Sequence, residues 1–267
     1  MTEYNGEQFD NGLLFRHVAN RRTPGKMTAL HTHGLFELLY IVSGDVTHVI
    51  EGRMYRLKKG DLVLIRPSKY HFLQVESEQL YERFNILFDP QLHRISSADR
   101  IPETMEVVNL SNNPIATDMF RKLDFYHKNT DRDTFETVLK LILKELFINL
   151  SIFNDSIRKQ EEIISPVLTK ALEYINDHLF TLGSVEEVAD ALFISTSYLF
   201  HLFRSSLHQS PKKYINDKRL LAAQKRILAG ERPSVVYKEC GFREYAAFYR
   251  GYCAFFGHSP AQDKPII

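Results

Sequence analysis

Cysteine is scarce in this chain of 267 residues; it has two, Cys240 and Cys253. Both fall in one C-terminal segment, where they either form a single disulfide or, as expected of a cytosolic protein, stay reduced, packed thiols. Long apolar runs are missing. No stretch approaches the roughly twenty residues that cross a bilayer, so no membrane-spanning helix is expected. The opening residues, MTEYNGEQFD, lack the basic and then apolar pattern of a secretion signal, which points to a cytoplasmic location. Excess charge is absent too. The formal net charge is +1, which does not advertise a nucleic-acid partner. Residues 166–267 hold 13 Lys+Arg against 10 Asp+Glu, about +3, which leaves −2 for the remainder. Distribution matters more than the sum. Lys212, Lys213, Lys218, Arg219, Lys225 and Arg226 crowd one segment. That segment is either a phosphate-meeting surface or an ordinary solvated helix face.

What the chain does have is a repeated helical punctuation near its C-terminus. Residues 184–206, SVEEVADALFISTSYLFHLFRSS, read as two helices joined by a short turn. Ser184 and Glu187 predict a capping box, and Ser195 predicts the cap of the second helix. Val185, Val188, Ala189 and Leu192 form one apolar face, and Leu199, Leu202 and Phe203 form the facing stripe. Such a pair is either a plain helical hairpin or a helix-turn-helix whose second helix enters a major groove. A second copy follows at 234–257, with a turn at Gly241-Phe242 and a stripe of Phe248, Tyr252 and Phe256. Between them Ser210-Pro211 starts a long helix with Leu220, Ala223 and Ile227 at helical spacing.

Ala189, Leu192, Ile194-Ser195, Tyr198-Leu199, Leu202-Phe203, Tyr214-Ile215, Arg219, Ala223, Gly241-Phe242, Phe248, Arg250, Phe256-Gly257 and Ser259-Pro260 together resemble the DNA-binding domain of the AraC/XylS family of transcription regulators. The resemblance covers about residues 166 to 264. It implies a seven-helix unit with two helix-turn-helix motifs on one connecting helix. The implied DNA-facing residues are Thr196, Ser197, Phe200, His201 and Arg204 in the first motif. In the second they are Tyr245, Ala246, Ala247 and Arg250. The chain departs from the family at Cys253-Ala254, where a basic pair is usual, at Tyr237 in place of alanine, and at His208 in place of glycine.

Residues 11–90 read as β. The runs LLFRHVA, KMTALHT, FELLYIVSG, DVTHVIEG, MYRLKKG, DLVLIRP and HFLQV are short, branched and aromatic, with turn signals at Glu51-Gly52 and Lys59-Gly60-Asp61. They predict a small antiparallel barrel. Leu62, Leu64 and Arg66 share one face of a strand, and Val63 and Ile65 the other. Gly25, His31-Thr32-His33, Glu37 and Gly44, then Gly60, Pro67 and His71, resemble the two cupin motifs. The second match is looser, because its proline falls one residue late and its inner glycine is missing. His31, His33, Glu37 and His71 are candidate ligands for a divalent metal such as Zn, Mn, Fe or Ni. The alternative is that they line an effector pocket, joined there by Tyr40 and Arg66.

In the middle, residues 89–113 look loop-rich with a short strand at MEVVNL, and Ile115 to His127 is predicted helical. Asp133 and Glu136 frame the start of a further helix. Its stripe of Leu139, Leu143, Leu146, Leu150 and Phe153 has the spacing of paired helices. The stripe either packs on its own barrel or forms a homodimer seam. NDSIRKQEEIISP is polar and is the expected linker.

The expected fold class is α+β. A cupin-like ligand-sensing barrel is expected over residues 1–95, a helical dimerisation and linker segment over 96–160, and an all-α DNA-binding domain over 161–267. The function this implies is sequence-specific, ligand-controlled transcription regulation without catalysis. The implied partners are double-stranded DNA, a small effector such as a sugar, RNA polymerase for an activator, and a second copy of the chain. Two alternatives stay open: a metal-dependent cupin enzyme fused to a DNA-binding module, and a degenerate regulator acting through a protein partner.

Overall fold

The computed structural model describes residues 3–9, 12–21, 30–89, 105–152, 162–163 and 165–263, with 25, 28 and 95 besides. The chain falls into two compact units. Met1–Ala29, Leu35–Ile50 and Met54–Glu162 make the first; Leu30–Gly34, Glu51–Arg53 and Ile163–Ile267 make the second.

The first unit is built on strands β1 (Glu3–Gln8), β2 (Leu14–Asn20), β3 (Phe36–Ser43), β4 (Val46–Ile50), β5 (Arg53–Leu57), β6 (Asp61–Ile65), β7 (His71–Val75), β8 (Tyr81–Phe88), β9 (Val107–Asn109) and β10 (Glu162–Ile163). They form a six-stranded sheet in the order β1-β2-β8-β3-β6-β9 and a four-stranded sheet in the order β10-β5-β4-β7. These are two cupin-like sheets and not a closed barrel. The larger sheet ends on β9, only three residues long, which is too short to carry the ladder onward.

The alternation along β3 and β6 explains the layering. Leu38 pairs with Leu64 and Leu39 with Val63. A period of two sends Leu38, Tyr40, Leu62 and Leu64 into one core, and Leu39, Ile41, Val63 and Ile65 into another. Both faces are covered, which is why these strands read as unbroken apolar runs. Of the run KMTALHT, residues 26, 27 and 29 lie outside the described residues; among the rest His31 makes a bridge and the Thr28 N–H donates to the Leu73 carbonyl at 2.8 Å. Strand β8, whose YERFNILF buries mostly alternate residues, lies inside the span read as β but outside its named runs.

Helix α1 (Pro114–Asn129) is capped by Asn113, whose side chain accepts the Ala116 N–H at 3.1 Å. Helix α2 (Arg132–Ile152) is capped two residues earlier than expected. The Asp131 carboxylate accepts the Thr134 N–H at 2.9 Å and so fills the position assigned to Asp133. The hydrogen bonds from Thr134 hold the Asp131 carboxyl below the usual carboxylate range. Leu139, Leu143, Leu146 and Leu150 are buried in the same core as Leu38, Tyr40, Phe84 and Ile86. The stripe that reads as a paired-helix seam therefore covers the unit's own sheet. Phe153 and most of the expected linker lie outside the described residues.

The second unit holds α3 (Pro166–Asp177), α4 (Val185–Ala191), α5 (Thr196–Leu207), α6 (Pro211–Leu228), α7 (Pro233–Glu239) and α8 (Tyr245–Phe256), then a 3-10 turn at Pro260–Gln262. Serine caps start three of the helices: Ser165, Ser195 and Ser210 accept from Leu168, Tyr198 and Lys213 N–H at 3.2, 3.1 and 3.2 Å. Ser184 precedes α4, but its side chain makes no cap bond to the helix backbone. Glu187 reaches past it to the Gly183 N–H at 3.2 Å. A Cβ at Gly183 would stand 2.7 Å from that carboxylate, so glycine makes room for the approach.

Candidate functional site

In the first helical pair, Val188 and Ala189 of α4 and Leu199, Leu202, Phe203 and Leu207 of α5 are buried. That fixes the outward side of α5. Ser197, His201 and Arg204 are exposed, and Thr196 and Phe200 are half-buried beside them. In the second pair, Val236 and Cys240 pack with Phe248 and Tyr252; burial pushes the Cys240 thiol pKa up. The outward residues of α8 are then Tyr245, Ala246, Ala247 and Arg250, with Tyr249 and Ala254 also exposed. Tyr249 was not among the expected residues, although it lies one helical turn after Tyr245.

The basic segment on α6 separates into structural and free charges. Arg219 is buried and donates to the carbonyl oxygens of Leu179 and Leu182 at 2.8 and 2.6 Å, pinning the loop before α4. Lys218 is buried, with Nζ 3.1 Å from the Glu51 carboxylate and 3.0 Å from Asn176 Oδ1. Lys213 pairs with Asp217 at 2.5 Å. Arg226 forks between Glu231 and Glu239, which raises its already high pKa. Lys212 and Lys225 are exposed. Lys212 and Lys213 line a depression of about 400 Å³ with Gly251, Ala254 and Phe255 of α8. They thus stand near the position where Cys253-Ala254 replaces a basic pair.

Of the six residues expected at the effector end, Glu37 and His71 meet within the first unit, while His31 and His33 belong to the Leu30–Gly34 segment of the second. His31 and His33 are not on a strand, yet their rings come within 6.0 Å. His71 Nδ1 sits 3.0 Å from the Lys69 carbonyl oxygen, and its Nε2 faces Glu37 Oε2 at 3.0 Å. Glu37 in turn accepts from Asn85 Nδ2 at 2.6 Å, a diagonal neighbour on β8. His48, which the sequence reading passed over, sets its ring edge-on to His71 at 5.8 Å. Its inward parity on β4 was the available signal. Tyr40 is not in this group. It lies on the opposite face of β3, stacked on Phe120 at 4.1 Å, and burial raises its pKa. Arg66 is half-buried just past the end of β6.

Imidazole and carboxylate are donor types that suit a divalent cation. A His71 Nδ1–H donating to the Lys69 carbonyl leaves the Nε2 lone pair pointing at a carboxylate.

Residues 18–123 match the AraC-like ligand binding domain, and residues 188–264 match a helix-turn-helix domain. Over 253 residues the chain is 20% identical to the lactose operon transcription activator of Staphylococcus xylosus, covering 92% of this chain and 87% of that protein. It is 24% identical over 256 residues to the transcriptional activator RhaR of Enterobacter sp. (strain 638), covering 90% and 88%. A shorter match, 32% over 95 residues, relates 35% of this chain to 38% of the probable transcriptional regulator LumQ of Photobacterium leiognathi. Among solved structures, the AraC-like transcriptional activator CuxR aligns at a TM-score of 0.45 and 15% identity, covering 83% of this chain and 80% of that one. The relatives matched nearly end to end are named transcription activators, and the two domain matches follow one another as the two units do. This chain belongs to the AraC family of transcription regulators, with an N-terminal ligand-binding domain and a C-terminal DNA-binding helix-turn-helix domain.

Proposed function

We propose that the chain is a cytoplasmic, homodimeric regulator that binds an operator through both helical pairs and is controlled by a small sugar. The observation that carries the DNA reading is the pair of outward helix faces, on α5 and α8, joined by the single helix α6. Base contacts fall to Thr196, Ser197, Phe200, His201 and Arg204, and to Tyr245, Ala246, Ala247 and Arg250. A sugar is favoured because relatives are named for the lactose and raffinose operons. Effector binding shifts the population of the DNA-competent state by its differential affinity for the two states. As an activator, the protein would also meet RNA polymerase.

Dimerisation is assigned to the outer side of α2. Leu141, Ile148 and Ile152 stay exposed there while the neighbouring stripe is buried, and Ile152 is 72% exposed. Selection of duplexes from a random pool with the full chain tests the DNA reading. Two enriched half-elements about one helical turn apart support it; no enrichment with or without sugars overturns it.

A second reading, resting on the donor types in the sequence, has a divalent cation held by His31, His33, Glu37 and His71. Such an ion supplies a Lewis-acidic anchor for effector hydroxyls. Titration of chelator-treated protein with Zn²⁺ is expected to saturate near one ion per chain, and His71→Ala is expected to abolish it. Equal uptake by the variant overturns this assignment.

A further inference from the structure

We propose that the second helix-turn-helix reads thymine methyl groups, so that the two half-elements of the operator differ in chemistry. This rests on the reading of the chain as a two-motif DNA binder.

The argument starts from what α8 exposes. Phe248 and Tyr252 are buried, so the first two turns present Tyr245, Ala246, Ala247, Tyr249 and Arg250. That surface is two phenol rings, two methyl groups and one guanidinium. Asparagine or glutamine would be needed for bidentate contact with adenine, and a carboxylate to accept from cytosine. The face has neither. Arg250 can take one guanine or one phosphate. The remaining surface is mostly apolar, and the apolar feature of the major groove is the thymine C5-methyl.

The rings are also held in place. Tyr237 of α7 lies edge-on to Tyr245, with centroids 5.4 Å apart, and Tyr245 lies 6.2 Å from Tyr249. A row of three aromatic rings, each fixed by the next, loses little rotamer freedom on binding. The first motif is different. Beside the half-buried Thr196 and Phe200 it exposes Ser197, His201 and Arg204, a hydroxyl, an imidazole and a guanidinium that read bases and phosphates by hydrogen bonds, so its face is the more polar of the two. The second motif also lacks cations at Cys253 and Ala254, so a larger share of its binding has to come from contacts that salt does not screen.

The test uses the full chain and the enriched duplex, with every thymine of one half-element at a time replaced by deoxyuridine. This removes the methyl and leaves the hydrogen-bonding edge intact. The half-elements are assigned by which one loses protection in Arg250→Ala. Deoxyuridine in the second half-element is expected to weaken binding about fourfold per contacted methyl, with the same ratio at low and high salt. Deoxyuridine in the first is expected to weaken binding by a smaller factor than in the second. Tyr245→Ala is expected to bind the methylated and demethylated second half-elements alike. A second half-element that is indifferent to deoxyuridine, or rich in G·C pairs, overturns the proposal while leaving DNA binding by two motifs intact. Absence of any enriched duplex overturns both.

Discussion

Arg219 and Gly241 compete for one small volume. A Cβ on Gly241 would stand 2.8 Å from the Arg219 guanidinium carbon and 2.8 Å from the Phe180 carbonyl oxygen. Gly241 also has φ +83, in the left-handed region that disfavours a side chain. The turn of the second motif is thus closed over the arginine that pins the loop before the first. Gly241→Ala is expected to destabilise the C-terminal unit by about 2–4 kcal/mol, from backbone strain and the displaced guanidinium together. Chemical denaturation of the full chain measures it; a change under about 0.5 kcal/mol would show that the turn can relax without loss.

The two faces of α2 should separate by mutation. Leu143 is fully buried in the sheet-covering core, and Leu143→Ala is expected to cost about 2–5 kcal/mol. Ile152→Ala, on the exposed side, is expected to leave stability within about 0.5 kcal/mol and to weaken the proposed dimer. Denaturation paired with sedimentation velocity checks both, and a monomeric wild type would remove the dimer assignment.

Acid should weaken the N-terminal unit at Asp124. Partial burial raises the pKa of this carboxyl, but hydrogen bonds from Lys128 Nζ at 2.7 Å and His17 Nδ1 at 3.0 Å outweigh it, and the net shift is downward. A folded pKa below the unfolded value gives stability that is present above the unfolded pKa and lost as pH falls through the folded one. Asp124→Asn is expected to lower stability at neutral pH and to flatten the acid side of the stability curve. Melting temperature against pH for the two proteins tests this; parallel curves would rule the contact out as a contributor.

Salt dependence should tell the α6 cations apart. Lys212→Ala is expected to reduce the slope of log affinity against log salt by about 0.9, the contribution of one phosphate contact. Arg226→Ala is expected to leave the slope unchanged, because its guanidinium is held by Glu231 and Glu239. Binding isotherms of the enriched duplex between low and moderate salt give both slopes.

The sequence by itself determined the helical half. The caps at Ser165, Ser195 and Ser210, the stripes on α5 and α8 and the glycine turn at Gly241 are local signals, written within a few residues of where they act. The same locality sorts strand faces, so Leu62 and Leu64 part from Val63 and Ile65 as alternation requires. Tertiary structure decided whatever depended on a distant partner. Leu139 and Leu143 have a seam's spacing, but the hydrophobic effect is non-directional, and the sheet beneath α2 took them. The charges on α6 look alike in sequence. Only the fold shows that Arg219 holds a loop and Arg226 two glutamates, while Lys212 is exposed. Tyr40 and Glu37 lie three residues apart, an odd number in a strand. That parity sends one to a helix-covered core and the other to His71, and it could be used only once the strand and both of its covering layers were known.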